Sequence, residues 1–209
     1  MTRSAITVAV LDYEAGNVRS AKRGFDAAGA HAQIVSDPAD ARRADALVIP
    51  GVGHFGSCRA QLERSGLAEV IAEAIRAARP VFGICVGMQL LYERSEEGDE
   101  LGLGLLPGRV ERFPDDAVVP HMGWDLVHAA DGAGPDDPLL VGVEGQRLYF
   151  VHSYYAVPVD AAHVVGRTRY GGVDFPSLVR EGSVVGTQFH PEKSGAVGQR
   201  LLHNWLTTL

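Results

Sequence analysis

The chain has 209 residues, of which 46% are apolar and 22% charged, with a net charge of −7. That size and balance allow a real buried core, in one large α/β domain or two small ones. The acidic excess argues against nonspecific nucleic-acid binding; no run reaches the length of a membrane span, and the opening MTRSAITVAVLDYEAGN is no signal peptide, its apolar stretch ending at Asp12.

In chain order, AITVAVL (5–11) reads as a buried-type strand, and the segment from Asn17 to Ala28 has helical spacing with Asn17 as N-cap. DALVIP (45–50) is a second apolar strand. From Ser57 to Ala78, apolar positions such as Leu62, Leu67, Val70, Ile71 and Ile75 recur at helical intervals. Pro80 introduces the strand VFGIC (81–85), and MQLLYER (88–94) reads as the helix that follows. Strands alternating with helices predict a doubly wound, mostly parallel central sheet with helices on both faces. The second half changes character. RVERF (109–113), WDLVH (124–128), RLYFVHSYYAV (147–157), VVGRTRY (164–170), SLVREG (177–182) and SVVGTQF (183–189) are strand-like and joined by Gly, Pro and Asp turns. They predict an antiparallel extension of the sheet, with EGS (181–183) as a tight turn. A last amphipathic helix runs from about Gly195 to the C-terminus. DGAGPDDP (131–138) reads as a loop and not a boundary, so residues 1–209 are expected to form a single domain.

Two cysteines, Cys58 and Cys85, make no disulfide framework in a chain this long, and point to reduced, cytoplasmic thiols. Neither belongs to a C-x-x-C pair and the eight histidines lack metal-site spacing, so neither a metal nor a cofactor is expected. GVGHFG (51–56) matches G-x-G-x-x-G after a strand, but the dinucleotide pattern wants an acidic residue at the end of the next strand, and that strand ends in Cys85. The loop is better read as backbone made accessible by glycine. Cys58 has the surroundings of an inert buried thiol. Cys85 differs: G-I-C-V-G has the form of a nucleophile elbow, with glycines two residues to either side of a strained strand-to-helix turn. The helix N-terminus beneath it favours thiolate. The Val86 N–H would be one oxyanion donor and the Gly51-Val52-Gly53 loop the source of the second.

A cysteine nucleophile needs a base. His190 closes the strand SVVGTQF and precedes Pro191 and Glu192. Proline ends the strand, and the carboxylate two residues on can hold one ring nitrogen while the other faces the thiol. His31, His128, His163 and His203 read as surface or packing residues. His54 belongs to the glycine loop, and His121 and His152 to polar-aromatic strands.

Together these residues resemble the class I, triad-type glutamine amidotransferase family over nearly the whole chain. The carrying motifs are DYEAGNVRS (12–20), PGVGHFG (50–56), GICVGMQLLYERSEEG (83–98), GLGLLPGRV (102–110), PHMGW (120–124), YFVHSYY (149–155) and TQFHPEKSG (187–195). The DYxxGN, PHMGW and HPEKS blocks narrow the likeness to the glutaminase subunits of imidazole glycerol phosphate synthases, of histidine biosynthesis. The resemblance implies hydrolysis of glutamine to glutamate and ammonia through a thioester on Cys85, with His190 as the proton carrier and Glu192 as its orienter. It implies a glutamine clamp of the Gly51–Gly53 backbone, Gln89, Glu97 and His152-Ser153-Tyr154. It also implies a heterodimer with a (β/α)8 cyclase that uses the ammonia, met by His121, Met122, Trp124, Tyr149 and Lys193. Where the family usually has Asn after HMGW, this chain has Asp125, which can accept but not donate. Three other readings of the elbow and HPE stay open: a glutaminase serving another synthase (vitamin B6 or anthranilate), a silent glutamine-binding regulatory subunit, and a thiol protease.

Overall fold

A computed structural model of the protein describes residues 6–209. The first half alternates as expected: β1 (Thr7–Leu11), α1 (Val18–Ala28), β2 (His31–Val35), α2 (Pro38–Arg43), β3 (Ala46–Gly51), α3 (Phe55–Arg64), α4 (Leu67–Arg76), β4 (Val81–Cys85) and α5 (Val86–Gln89). Ala5, assigned above to the first strand, lies outside the described residues. The Asn17 side chain caps α1 by accepting from the Ser20 N–H, and Gly29 ends it at φ 108°. Asp37 likewise caps α2, with Pro38 opening the helix. The helical periodicity over 57–78 resolves into two helices, because Gly66 takes φ 74° between α3 and α4.

The helix expected over 88–94 is a correction. It stops at Gln89, because the carbonyls of Leu90, Leu91 and Tyr92 turn outward to accept from the Leu103, Leu105, Leu106 and Gly104 N–H groups. Backbone spent on that loop cannot continue a helix. Two short strands follow, β5 (Arg94–Ser95) and β6 (Glu100–Leu101). Then come β7 (Gly108–Arg112), β8 (His121–Ala129), β9 (Gln146–His152), β10 (Tyr154–Pro158), β11 (Val164–Tyr170), β12 (Val173–Glu181), β13 (Val184–Thr187) and α6 (Gly195–Thr207). The segment 147–157, read above as one strand, breaks at Ser153 and serves two sheets.

The large sheet has nine strands in the order β2-β1-β3-β4-β13-β12-β11-β8-β9, and the small one four, β10-β7-β5-β6. From β2 to β13 every pairing is parallel; from β13 to β9 every pairing is antiparallel. Right-handed crossovers then put α1 on one face and α2 to α4 on the other. The predicted turn at 181–183 is a two-residue hairpin in which Glu181 pairs with Val184 and Gly182 sits at φ 56°. Phe25, Phe82 and Trp205 meet edge to face under α1 and α6. A second aromatic cluster, around Phe113, Phe150 and Phe175, fills the junction of the two sheets.

Candidate active site

The site begins with strand register. β4 lies between β3 and β13, all parallel, with Gly51 opposite Cys85 and Thr187 opposite Ile84. The carboxyl ends of these three strands therefore bring together the 51–53 loop, Cys85 and the 188–192 segment, at the edge where α/β sheets carry their ligands.

Cys85 is buried and holds φ 53°, ψ −116°, a conformation few non-glycine residues adopt. Its neighbours explain how the turn closes. A Cβ on Gly83 would lie 2.6 Å from Met88 Cα, one on Gly87 1.9 Å from the Ile49 oxygen, and one on Gly51 2.3 Å from the Gly87 nitrogen. Only three glycines let the strands and the turn approach this closely. α5 is a single turn of four residues, so its dipole gives the sulfur less support than a full helix would.

His190 and Glu192 are brought together as a buried pair. Nδ1 of His190 lies 2.9 Å from Glu192 Oε1, and both side chains are almost fully enclosed. The segment is tied down by backbone: the His190 N–H donates to the Tyr149 carbonyl, and the Ser194 hydroxyl donates to the His190 carbonyl while accepting from the Tyr149 N–H. Burial opposes a charged ring, but the Cys85 sulfur and the Glu192 carboxylate outweigh it and raise His190 to about 10. His190 Nε2 has no aligned hydrogen-bond partner, so we attribute the sulfur's effect to its charge.

Beside Cys85 lies a cavity of about 240 Å³ lined by Val52, Gly53, Val86, Gln89, Glu97, Pro120, Val151, His152, Ser153 and Tyr154. All residues of the expected clamp except Gly51, which is buried just behind, line this space. A larger cleft, about 690 Å³, runs past His128, Arg167 and Asp174 and holds none of the expected site residues. Glu97 and not Glu96 faces the cavity; its Oε2 accepts from the Phe55 N–H at 2.7 Å, while Glu96 accepts from the Arg112 N–H. Gln89 is less free than expected: its Nε2 already donates to the Tyr154 carbonyl at 2.8 Å and to Gln188 Oε1 at 2.9 Å. His152 is buried, and burial lowers its pKa to about 3 against the pull of the Tyr154 carbonyl.

On the outer face of β8 and β9, Met122 and Trp124 are exposed by 63% and 51%. Trp124 meets the Tyr149 ring edge-on, and Lys193 Nζ lies 5.8 Å over that ring. His121 is a correction. It is 2% exposed, stacked on Tyr170 and Phe150, with Nδ1 3.2 Å from His152 Nε2. Strand alternation sends Met122 and Trp124 outward and His121 inward. Asp125 accepts from the Leu126 N–H and faces His121 Nε2 at 3.5 Å.

Tyr13 and Gln188 carry contacts that no local pattern announces, and Cys58 is the inert buried thiol expected of it. The Tyr13 hydroxyl donates to the Pro50 carbonyl, and burial holds that hydroxyl protonated. Cys58 Sγ donates to the Val52 carbonyl at 3.4 Å, its thiol raised to about 11 by burial and then by Glu97 and Cys85. Gln188, fully buried, reaches Cys85 Sγ with Nε2 at 3.6 Å. The DY pair and the QFH triplet were visible, but nothing local says what their side chains touch.

The chain matches the family model "Glutamine amidotransferase class-I" over residues 9–209. It is 46% identical to the imidazole glycerol phosphate synthase subunit HisH of Synechococcus sp. (strain JA-3-3Ab), over 97% of this chain and 94% of that one. It is 47% identical to the subunit of the same name from Halobacterium salinarum, over 96% and 92%. Among solved structures, PurLQS from Thermotoga maritima superposes with a TM-score of 0.75 at 22% identity, covering 98% of this chain and 99% of the other, which speaks to the fold. With a nine-stranded mixed sheet, a glycine-locked cysteine turn and near full-length likeness, the chain belongs to the class I glutamine amidotransferases, among the HisH subunits of imidazole glycerol phosphate synthase.

Proposed function

We propose that this chain hydrolyses L-glutamine to glutamate and ammonia through a thioester on Cys85, as one glutaminase domain working in the cytoplasm. The observation that carries the reading is the strained Cys85 turn set at the strand ends that also supply the buried His190–Glu192 pair. His190 takes the thiol proton, and the sulfur attacks the side-chain carbonyl carbon of glutamine. The developing oxyanion is met by the Val86 N–H and by an N–H of the Val52-Gly53 loop. His190 then gives its proton to the departing ammonia. Water, activated by the same ring, cleaves the thioester and releases glutamate. Glu192 keeps the ring in one tautomer and supports its charge. Glu97 retains Oε1 for the substrate's α-amino group, and the Ser153 hydroxyl and nearby backbone receive its carboxylate.

The ammonia passes to a synthase partner, a (β/α)8 cyclase in a heterodimer that forms imidazole glycerol phosphate and an aminoimidazole carboxamide ribonucleotide. Exposed Met122 and Trp124, with Lys193 over Tyr149, support docking on that face. The test is glutamate release with and without the cyclase and its nucleotide acceptor. Activity is expected to rise on adding both and to vanish in Cys85→Ala while the fold is kept. Hydrolysis retained by Cys85→Ala would sink the assignment.

A further inference from the structure

Gln188 stands between Thr187, which ends β13, and the Phe189-His190 pair. Its backbone N–H is anchored on the Ser177 carbonyl at 2.9 Å. Its side chain is fully buried, where an amide is costly unless both ends find partners. Both do. Oε1 accepts from Gln89 Nε2 at 2.9 Å, and Nε2 lies 3.6 Å from Cys85 Sγ.

The two ends of an amide are easily exchanged, so their assignment must come from the network. Here the network decides. The Tyr154 carbonyl can only accept, so Gln89 presents nitrogen to it at 2.8 Å. That same nitrogen then requires an acceptor on Gln188, which is Oε1. Nε2 of Gln188 is left facing the sulfur. The far end is fixed too: His152 Nδ1 donates to the Tyr154 carbonyl at 2.7 Å, and its Nε2 faces His121 Nδ1 at 3.2 Å. No flip of either glutamine keeps all these contacts.

We propose that Gln188 is a further catalytic residue, an N–H donor that aims the Cys85 sulfur and stabilises it as thiolate. The proposal rests on the glutaminase reading for its catalytic meaning. A hydrogen bond given to the charged form favours that form, and one to an ion is stronger than one between neutral groups. The segment that leaves β13 thereby carries two groups that serve one sulfur. Gln188 donates to it, and His190 exchanges its proton.

The test compares the parent chain with Gln188→Met, similar in volume without a donor, and Gln188→Glu, which still accepts from Gln89 but offers the sulfur a carboxylate. Alkylation of Cys85 by iodoacetamide is followed across pH by mass spectrometry of the Cys85 peptide, and glutamine hydrolysis is measured in the partner complex. In Gln188→Met, alkylation at pH 7 is expected to slow about tenfold, its profile moving to higher pH. kcat should fall by a similar factor with KM within about twofold. Gln188→Glu should be slower still, although it keeps the Gln89 contact and with it the fold, checked by thermal unfolding. A merely structural amide predicts the opposite order, with Glu the milder change. Alkylation of both folded variants within twofold of the parent would overturn the role of Gln188. A parent chain that shows the alkylation difference but never hydrolyses glutamine would overturn the glutaminase reading alone.

Discussion

The parallel and antiparallel halves of the large sheet solve different problems. β3 and β4 are buried at every position, so their sequences read as continuous apolar runs interrupted only by glycine and proline. β8 alternates between more and less buried positions, and two of its outward side chains, Met122 and Trp124, are large and apolar. The parallel half positions one sulfur atom by excluding every other arrangement. The antiparallel half builds a wall of the cavity and leaves Met122 and Trp124 exposed on its outer face, the face proposed above for docking. His190 sits where the two meet, three residues past the end of the strand that pairs parallel with β4 and antiparallel with β12.

If the parallel half works by exclusion, Gly87→Ala should be the most damaging small change. Its methyl group would collide with the Ile49 oxygen, and a loss above about 4 kcal/mol in urea unfolding is expected. Glu192→Gln keeps the shape of the His190 pair and removes its charge, so kcat should fall about a thousandfold in a chain that circular dichroism shows still folded. On the antiparallel face the effects should separate the other way. Trp124→Ala is expected to weaken binding of the proposed cyclase partner by about 2 kcal/mol in calorimetry while the free chain unfolds as before.

The pH dependence of stability sharpens the same contrast. His152 stays neutral in the fold down to about pH 3, whereas the unfolded chain protonates it near 6.5. Its contribution to stability therefore falls by about 1.4 kcal/mol per pH unit as pH drops through that window. His190 has the opposite sign: raised to about 10, its contribution is complete below 6.5 and is lost as pH rises toward 10. Urea titrations of His152→Asn should lose the acid slope and keep the alkaline one. Asp125→Asn, which keeps the acceptor for the Leu126 N–H, should change stability by no more than about 0.5 kcal/mol.

The parts of the site visible in the sequence are those set by local sterics. A cysteine flanked by Gly83 and Gly87 needs neighbours without side chains, and Pro191 after His190 opens a 3-10 turn past the end of β13; each leaves its mark within a few residues. The Gln89–Gln188 and Gln188–Cys85 contacts span 99 and 103 positions, and no local pattern encodes them. β2 and α2 leave little mark in the sequence, because HAQIV is half exposed and α2 is only six residues long, with Asp37-Pro38 its one capping signal. The apolar spacing over 88–94 is helical, but the backbone of 102–106 competes for the carbonyls that a longer helix would need. The company of His121 in PHMGW suggests the surface, but the alternation of its own strand turns it inward.

The contact between Gly87 and the Ile49 carbonyl has a thermodynamic consequence. A turn with no spare volume has almost no alternative conformations, so the entropy cost of aiming the nucleophile is met when the chain folds. Under the proposed mechanism, glutamine would enter a cavity whose reactive atom is already oriented, leaving its binding energy for holding the amide in line with the sulfur.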